Sequence, residues 1–141
     1  MFKHALTAVA LAAALFVSAN AWSAESPPTL PGAKTVSPQE AKALIDSGAQ
    51  VYDVRKKASY VEGRLPKAKS VGSSVDAEAK TADVSVFGSN KAAALVIYGH
   101  GSDGWSAVYA VESAVKAGFT NVNWMRVGYR DWAAASLPIE K

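Results

Sequence analysis

Residues 93–98 read AALVIY, six apolar residues with no charged or amide side chain among them, and the glycine-rich GHGSDGWS of residues 99–106 follows at once. Beyond it Ala107, Val108, Val111, Ala114 and Val115 recur at helical spacing until Gly118. A strand without polar alternation has no face to give to water, so it belongs in the middle of a sheet that is covered on both sides. A strand that runs through a short loop into a helix is half of a parallel crossover unit. These demands restrict the chain to an α/β arrangement. They also put the loop of residues 99–106 at the carboxyl end of a central strand, where open parallel sheets bind their ligands.

The flanking sequence agrees. Ser37, Pro38 and Glu40 occupy N-cap, N1 and N3 of a predicted helix, a capping box with proline where its missing N–H costs nothing. Ala41, Leu44 and Ile45 give that helix one apolar face and Gly48 closes it, after which AQVYDV (49–54) reads as a short strand. GRLPKAKSV (63–71) is expected to be a turn leading into an extended piece, with Gly63 and Pro66 shaping the turn. The polar DAEAKTADVSVFGSNK (76–91) is expected to be a helical turn plus loop. TNVNWM (120–125) predicts another strand and GYRDWAAA (128–135) a short helix, with Trp124 and Trp132 in the core, and Pro138 is expected to end the ordered part. Strands alternating with helices at this spacing predict a three-layer α/β sandwich around a mostly parallel sheet.

At the N-terminus, Lys3, the apolar run Ala5 to Val17 and the Ala19-Asn20-Ala21 ending predict a secretory signal peptide over residues 1–21. The mature protein is then exported, in a Gram-negative cell to the periplasm, with no membrane segment after signal cleavage. Residues 22–33, with three prolines and no apolar period, are expected to be a leader or linker ahead of a domain over 34–140. The formal charge of +3 comes from scattered basic residues and gives no case for nucleic acid. The chain has no cysteine, so stability rests on packing and thiol chemistry is excluded.

Three enzyme motifs are half-made in the loop. GHGSDG is a literal G-x-G-x-x-G, but the strand after the next helix ends at Met125-Arg126 without the acidic residue that would hold a ribose. GHGSDGWS has the glycine spacing of a phosphate-binding P-loop with Trp105 where the lysine should be. HGSDG resembles a nucleophile elbow around Ser102 with His100 in place of its first glycine, yet the only other histidine is His4. His100 also lacks a second histidine or cysteine as a co-ligand, so it reads as a solvent-facing loop residue and no metal or cofactor is implied. Ser102 or Asp103 is expected to cap the helix that follows.

Read outward from the loop, the chain resembles the rhodanese-like domain family. Asp53, Arg55, Tyr60, Gly63, Leu65, Pro66 and Ala68 fall on the family's first signature, with Arg64 where histidine is usual. Gly118, Phe119, Asn121, Val122, Gly128, Trp132 and Pro138 fall on the closing signature, with Val127 replacing the first of its paired glycines. The resemblance implies a cysteine directly after the central strand as carrier of a persulfide, and an arginine-serine pair at the end of the loop. Here Gly99 stands at the cysteine position, Trp105 at the arginine position, and Ser106 is retained. Gly104 takes the place of a second cysteine found in some exported relatives. The loop is one residue longer than in common sulfurtransferases and closer in length to the related phosphatases.

Two readings follow. In the first, the chain is a binding module inactive as a sulfurtransferase. Its backbone N–H groups across Gly99, His100, Gly101, Ser102, Asp103, Gly104, Trp105 and Ser106 receive a small oxyanion, or the loop meets another exported protein through Trp105 with Tyr98 or Tyr129. The exported rhodanese-like resemblance links such a module to sulfur metabolism. In the second, it is an enzyme of another class using His100, Ser102 or Asp103 with Arg64 or Arg126 in the same pocket. Asp53 and Arg55 are expected to pair and support the loop in either case.

Overall fold

A computed structural model describes residues 24–141. The expected signal peptide, together with Trp22 and Ser23, lies outside the described residues. The chain runs through β1 (Ala33–Thr35), α1 (Pro38–Asp46), β2 (Gln50–Asp53), α2 (Lys57–Glu62), β3 (Ala68–Ser70), β4 (Val75–Asp76), β5 (Thr81–Ala82), β6 (Leu95–Tyr98), α3 (Trp105–Lys116), β7 (Val122–Met125) and α4 (Gly128–Ala134).

β6 lies at the centre of a five-stranded sheet of order β1-β7-β6-β2-β3, in which every pairing is parallel. Its four residues are all buried, as an uninterrupted apolar strand requires. Leu95 and Ile97 face one way, into a core shared with Tyr52, Trp124, Phe119 and the buried face of α3. Val96 and Tyr98 face the other way, towards Ala41, Ile45, Leu65, Met125 and Trp132. The period of two in the strand therefore divides the apolar residues between two cores, one on each side of the sheet. Trp124 and Trp132 are core residues, as the sequence implies.

Local signals place the helices well. The Ser37–Glu40 capping box is present in both directions and Pro38 occupies the first turn of α1. The fold departs from expectation in four places. Residues 76–91 hold the expected helical turn, as a 3-10 turn, but the rest is not all loop. They hold β5, which forms an antiparallel ribbon with β4, and a 3-10 turn at Val84–Phe87 that buries Phe87. The ribbon is tied to α3 by the Ala82 amide, which donates to Ser113 Oγ (3.0 Å). The short helix α2 arises where no helical period was apparent, because none of its six residues is fully buried and periodicity reports only burial. β1 has three residues and leans on β7 alone. Order also extends past Pro138: Arg64 and Glu140 form an antiparallel bridge with bonds of 3.0 and 2.8 Å.

Candidate functional site

Beneath the loop lies an ion pair that the sheet has removed from water. Asp53, at the end of β2, and Arg55 are 0% and 5% exposed. Arg55 Nε donates to Asp53 Oδ1 (3.0 Å) and Nη2 to Oδ2 (2.7 Å), while the Arg55 amide donates to Oδ1 (2.9 Å). Tyr98 donates its hydroxyl to Asp53 Oδ2 (2.7 Å) and accepts from the Leu65 amide (3.1 Å). Arg55 Nη2 also donates to the Gly63 carbonyl (2.6 Å), and the guanidinium lies over the face of Tyr129, 4.1 Å from its ring centre. Burial, then the Asp53 charge and hydrogen bond, push the Tyr98 hydroxyl far above its ordinary range, so it stays protonated and donating. For Arg55, burial disfavours the cation, but hydrogen bonding and charge from Asp53 outweigh it and its pKa rises. The expected Asp53–Arg55 pairing is correct, and it ties the ends of β2 and β6 to the turn before β3.

The loop of residues 99–106 leaves β6 over this base. Its carbonyls are taken one after another. Gly99 O accepts from the Tyr129 amide (2.9 Å) and His100 O from the Arg130 amide (3.0 Å), both in the first turn of α4. Gly101 O accepts from the Gly104 amide (2.9 Å). Ser102 O accepts twice from Ser26, from its amide (2.8 Å) and its hydroxyl (2.6 Å). In a trans peptide the carbonyl and the following N–H point in opposite directions. Each fastened carbonyl of residues 99–102 therefore turns the amide that follows it, of His100, Gly101, Ser102 or Asp103, away from that carbonyl's own donor. Among the described residues, Gly104 is the one amide of residues 99–106 that has a protein acceptor. The rest are free donors, and the opening turn of α3 adds its dipole.

A cavity of about 650 Å³ opens onto this loop. Its walls include Val54, Val75, Ala77 and Ala107, with Ser70, Ser73 and Ser106 among the polar groups and Lys56, Lys57 and His100 bringing the basic ones. Of the eight predicted loop residues, Gly99, His100, Gly104 and Ser106 line the cavity; Gly101, Ser102, Asp103 and Trp105 do not. Arg55 also lines it, with its Nε and Nη2 given to Asp53 and the Gly63 carbonyl. Arg64 and Arg126 stand outside. Arg64 lies over the Tyr60 ring at 4.5 Å, and Arg126 binds the carbonyls of Ser26 (2.6 Å) and Pro27 (2.9 Å). Ser70, Ser73, Lys56 and Lys57 were not among the predicted site residues. They lie on a helix start and a turn whose sequence carries no motif, and only the folding of β3 beside β2 brings them to the loop.

Two further expectations need correction. Neither Ser102 nor Asp103 caps α3; the N-cap is Gly104, with no side-chain bond. The Gly101–Gly104 turn delays the helix, and the Ser102 hydroxyl donates instead to Glu25 (3.4 Å). Tyr98 is not available to a partner, because it is wholly buried.

Gly128 shows how closely the loop is held. Its φ is +70°, and a Cβ there would stand 2.5 Å from the Gly101 nitrogen and the His100 carbonyl carbon. Both contacts are backbone, so nothing can swing aside. Gly128→Ala is expected to cost about 1–3 kcal/mol from the left-handed conformation alone and to displace the loop, read as a lower melting temperature together with shifted amide resonances at residues 100–101. Gly99 differs. A Cβ there would meet Ala107 Cβ at 3.5 Å and Val54 Cγ2 at 3.6 Å, ordinary contact distances.

A family model for the rhodanese-like domain matches residues 37–135. No curated protein sequence matches. Among solved structures, the chain is similar to a rhodanese-like domain from Anabaena, with 24% identity, a TM-score of 0.53 and coverage of 67% of this chain and all of that one. It is similar to a Bacillus halodurans protein at 20% identity and TM-score 0.61, with 76% of each chain covered. It is similar as well to a thiosulfate sulfurtransferase from Pseudomonas aeruginosa, at 21% identity and TM-score 0.59, over 77% of this chain and 20% of that one. These likenesses bear on the fold; the match over residues 37–135 bears on descent. The chain belongs to the rhodanese-like domain family, with a mixed α/β sandwich around a parallel sheet and no cysteine anywhere in its sequence.

Proposed function

We propose that this is an exported, non-catalytic binding module that takes a small oxyanion of the sulfate, sulfite or thiosulfate type on the amides of residues 100–103. The fastening of four successive carbonyls, 99 to 102, carries the reading, because it leaves the N–H groups that follow them without a protein acceptor, and His100 among them lines the open cavity. Lys56 and Lys57 at the cavity wall supply positive charge that the loop itself lacks. Sulfur transfer by the family's route needs a thiolate to hold the sulfane sulfur, and neither Gly99 nor Ser102 offers one. The signal-peptide pattern of residues 1–21 supports export, and the resemblance to exported rhodanese-like proteins supports a link to sulfur metabolism.

The alternative of an enzyme built on His100, Ser102 and Asp103 with Arg64 or Arg126 has less support. His100 faces the cavity, whereas Arg126 and the Ser102 hydroxyl are engaged with residues 25–27 and Arg64 with Tyr60 and Glu140. A protein-interaction role would fall to Trp105, 37% exposed, whose indole N–H is already given to the Ala24 carbonyl (2.9 Å).

Calorimetric titration with sulfate and thiosulfate tests the proposal. The expected result is weak one-to-one binding that is lost at high sodium chloride concentration, with Lys57→Glu weakening it roughly fivefold. Heat of dilution alone at millimolar anion and low ionic strength would overturn the reading.

A further inference from the structure

The start of the segment expected to be a leader or linker is bonded to the loop. Residues 24–27 cross the outside of the loop and are fixed at both of its ends. Ser26 is 3% exposed, although it is a serine in a proline-rich stretch, because it is enclosed between the loop and Arg126. Its amide and hydroxyl both go to the Ser102 carbonyl. The Ala24 carbonyl accepts from Trp105 Nε1, at the opening of α3. Arg126, just past the end of β7, clamps the segment from below by donating to the carbonyls of Ser26 and Pro27 and meeting Glu25 at 3.5 Å. Leu30, 5% exposed, anchors the segment in the α3-side core before β1 begins.

We propose that residues 24–27 are a positioning strap for the anion loop, with Ser26 as the positioning residue and Arg126 and Trp105 as its fasteners. The physical reason lies in a single peptide plane. The carbonyls of Gly99, His100 and Gly101 are held by α4 and by the loop itself, but the carbonyl of Ser102 is held by Ser26 alone. That carbonyl sets the direction of the Asp103 N–H. Without the strap, the Ser102–Asp103 peptide is free to rotate, and rotation exchanges a donor for an acceptor at the anion. The strap also accounts for Trp105, where the family pattern has an arginine. Its indole N–H points to the strap, so this position holds residues 24–27 and leaves anion contact to the backbone. Ser26 touches no ligand itself and acts through Ser102.

This inference rests on the oxyanion reading for its functional consequence but not for its structural part, and the test separates the two. A cross-hydrogen-bond scalar coupling between the Ser26 nitrogen and the Ser102 carbonyl carbon reports the contact directly in the whole protein. Ser26→Ala removes the hydroxyl donor, Ser26→Pro removes both donors, and Ser26→Thr restores both. The expected result is a measurable coupling in the wild type and in Ser26→Thr. Faster amide exchange at residues 101–105 is expected in Ser26→Ala and more so in Ser26→Pro, with melting temperature lowered only slightly. Sulfate affinity falls about tenfold in Ser26→Pro, the scale of one or two lost hydrogen bonds, and returns in Ser26→Thr. Should the wild type bind no anion, the exchange pattern still decides the strap, and only the oxyanion reading fails. An absent coupling, or loop exchange and sulfate affinity in Ser26→Pro equal to wild type, would overturn the strap.

Discussion

Gly99→Cys is expected to give this protein a reactive thiol and the first step of sulfur transfer, from a wild-type level of zero. The backbone has room for the side chain, since a Cβ at Gly99 makes only ordinary contacts with Ala107 and Val54. Its thiol would sit within a loop whose free amides stabilise the thiolate, lowering the pKa below the ~8.5 of an unperturbed cysteine. With thiosulfate, the thiolate attacks the outer sulfur, a new sulfur–sulfur bond forms, and sulfite leaves with the electron pair. The product is a protein persulfide, read as a mass increase of one sulfur atom in the variant and none in the wild type. Turnover is expected to be poor, because Trp105 cannot supply the charge of the family's arginine. Alkylation by iodoacetamide at pH 7 provides a second reading and should be faster than for free cysteine. A folded variant that alkylates no faster would mean that the loop does not stabilise negative charge.

Arg55→Met is expected to cost about 3–5 kcal/mol, because it leaves Asp53 charged, buried and short of two of its donors. That is a large share of the roughly 5–15 kcal/mol that holds a domain of this kind together. The loss spreads further, since Arg55 also ties down the Gly63 carbonyl and packs on Tyr129, whose own amide fixes the Gly99 carbonyl. Urea unfolding should show the lower midpoint. Asp53→Asn together with Arg55→Met is expected to recover much of it, because the uncompensated charge is then gone. If the single Arg55 variant were as stable as wild type, the pair would have no part in supporting the loop.

What could be read from sequence follows burial and local chemistry. AALVIY announced a strand covered on both faces because nothing polar interrupts it, and β6 is central with all four residues buried. The α1 capping box was legible because its bonds join residues three apart. The Asp53–Arg55 pair was legible through a pattern of residues, and the two side chains meet as that pattern implied. The ribbon of β4 and β5 was not legible, because its stability comes from packing on α3, which lies beyond residue 104. The role of Ser26 was equally hidden. Its partner Ser102 is 76 residues away, and proline-rich sequence says only that the chain is not helical, not where it lies. Lys56 and Lys57 reach the cavity only through the folding of the sheet. The loop residues themselves were identified, but their division into four that line the cavity and four that do not depends on the path of the folded loop, which side-chain identity does not encode.

The proposed site stands or falls on whether the free amides of residues 100–103 receive an oxyanion. The most direct test is a ¹⁵N-resolved titration of the protein with sulfate and thiosulfate, following the backbone N–H resonances of His100, Gly101, Ser102 and Asp103. Saturable shifts are expected, largest at these four amides, with one dissociation constant shared among them and chloride producing no comparable change at equal ionic strength. Amides that stay fixed at millimolar anion, or shifts confined to surface lysines and equal for chloride, would contradict it.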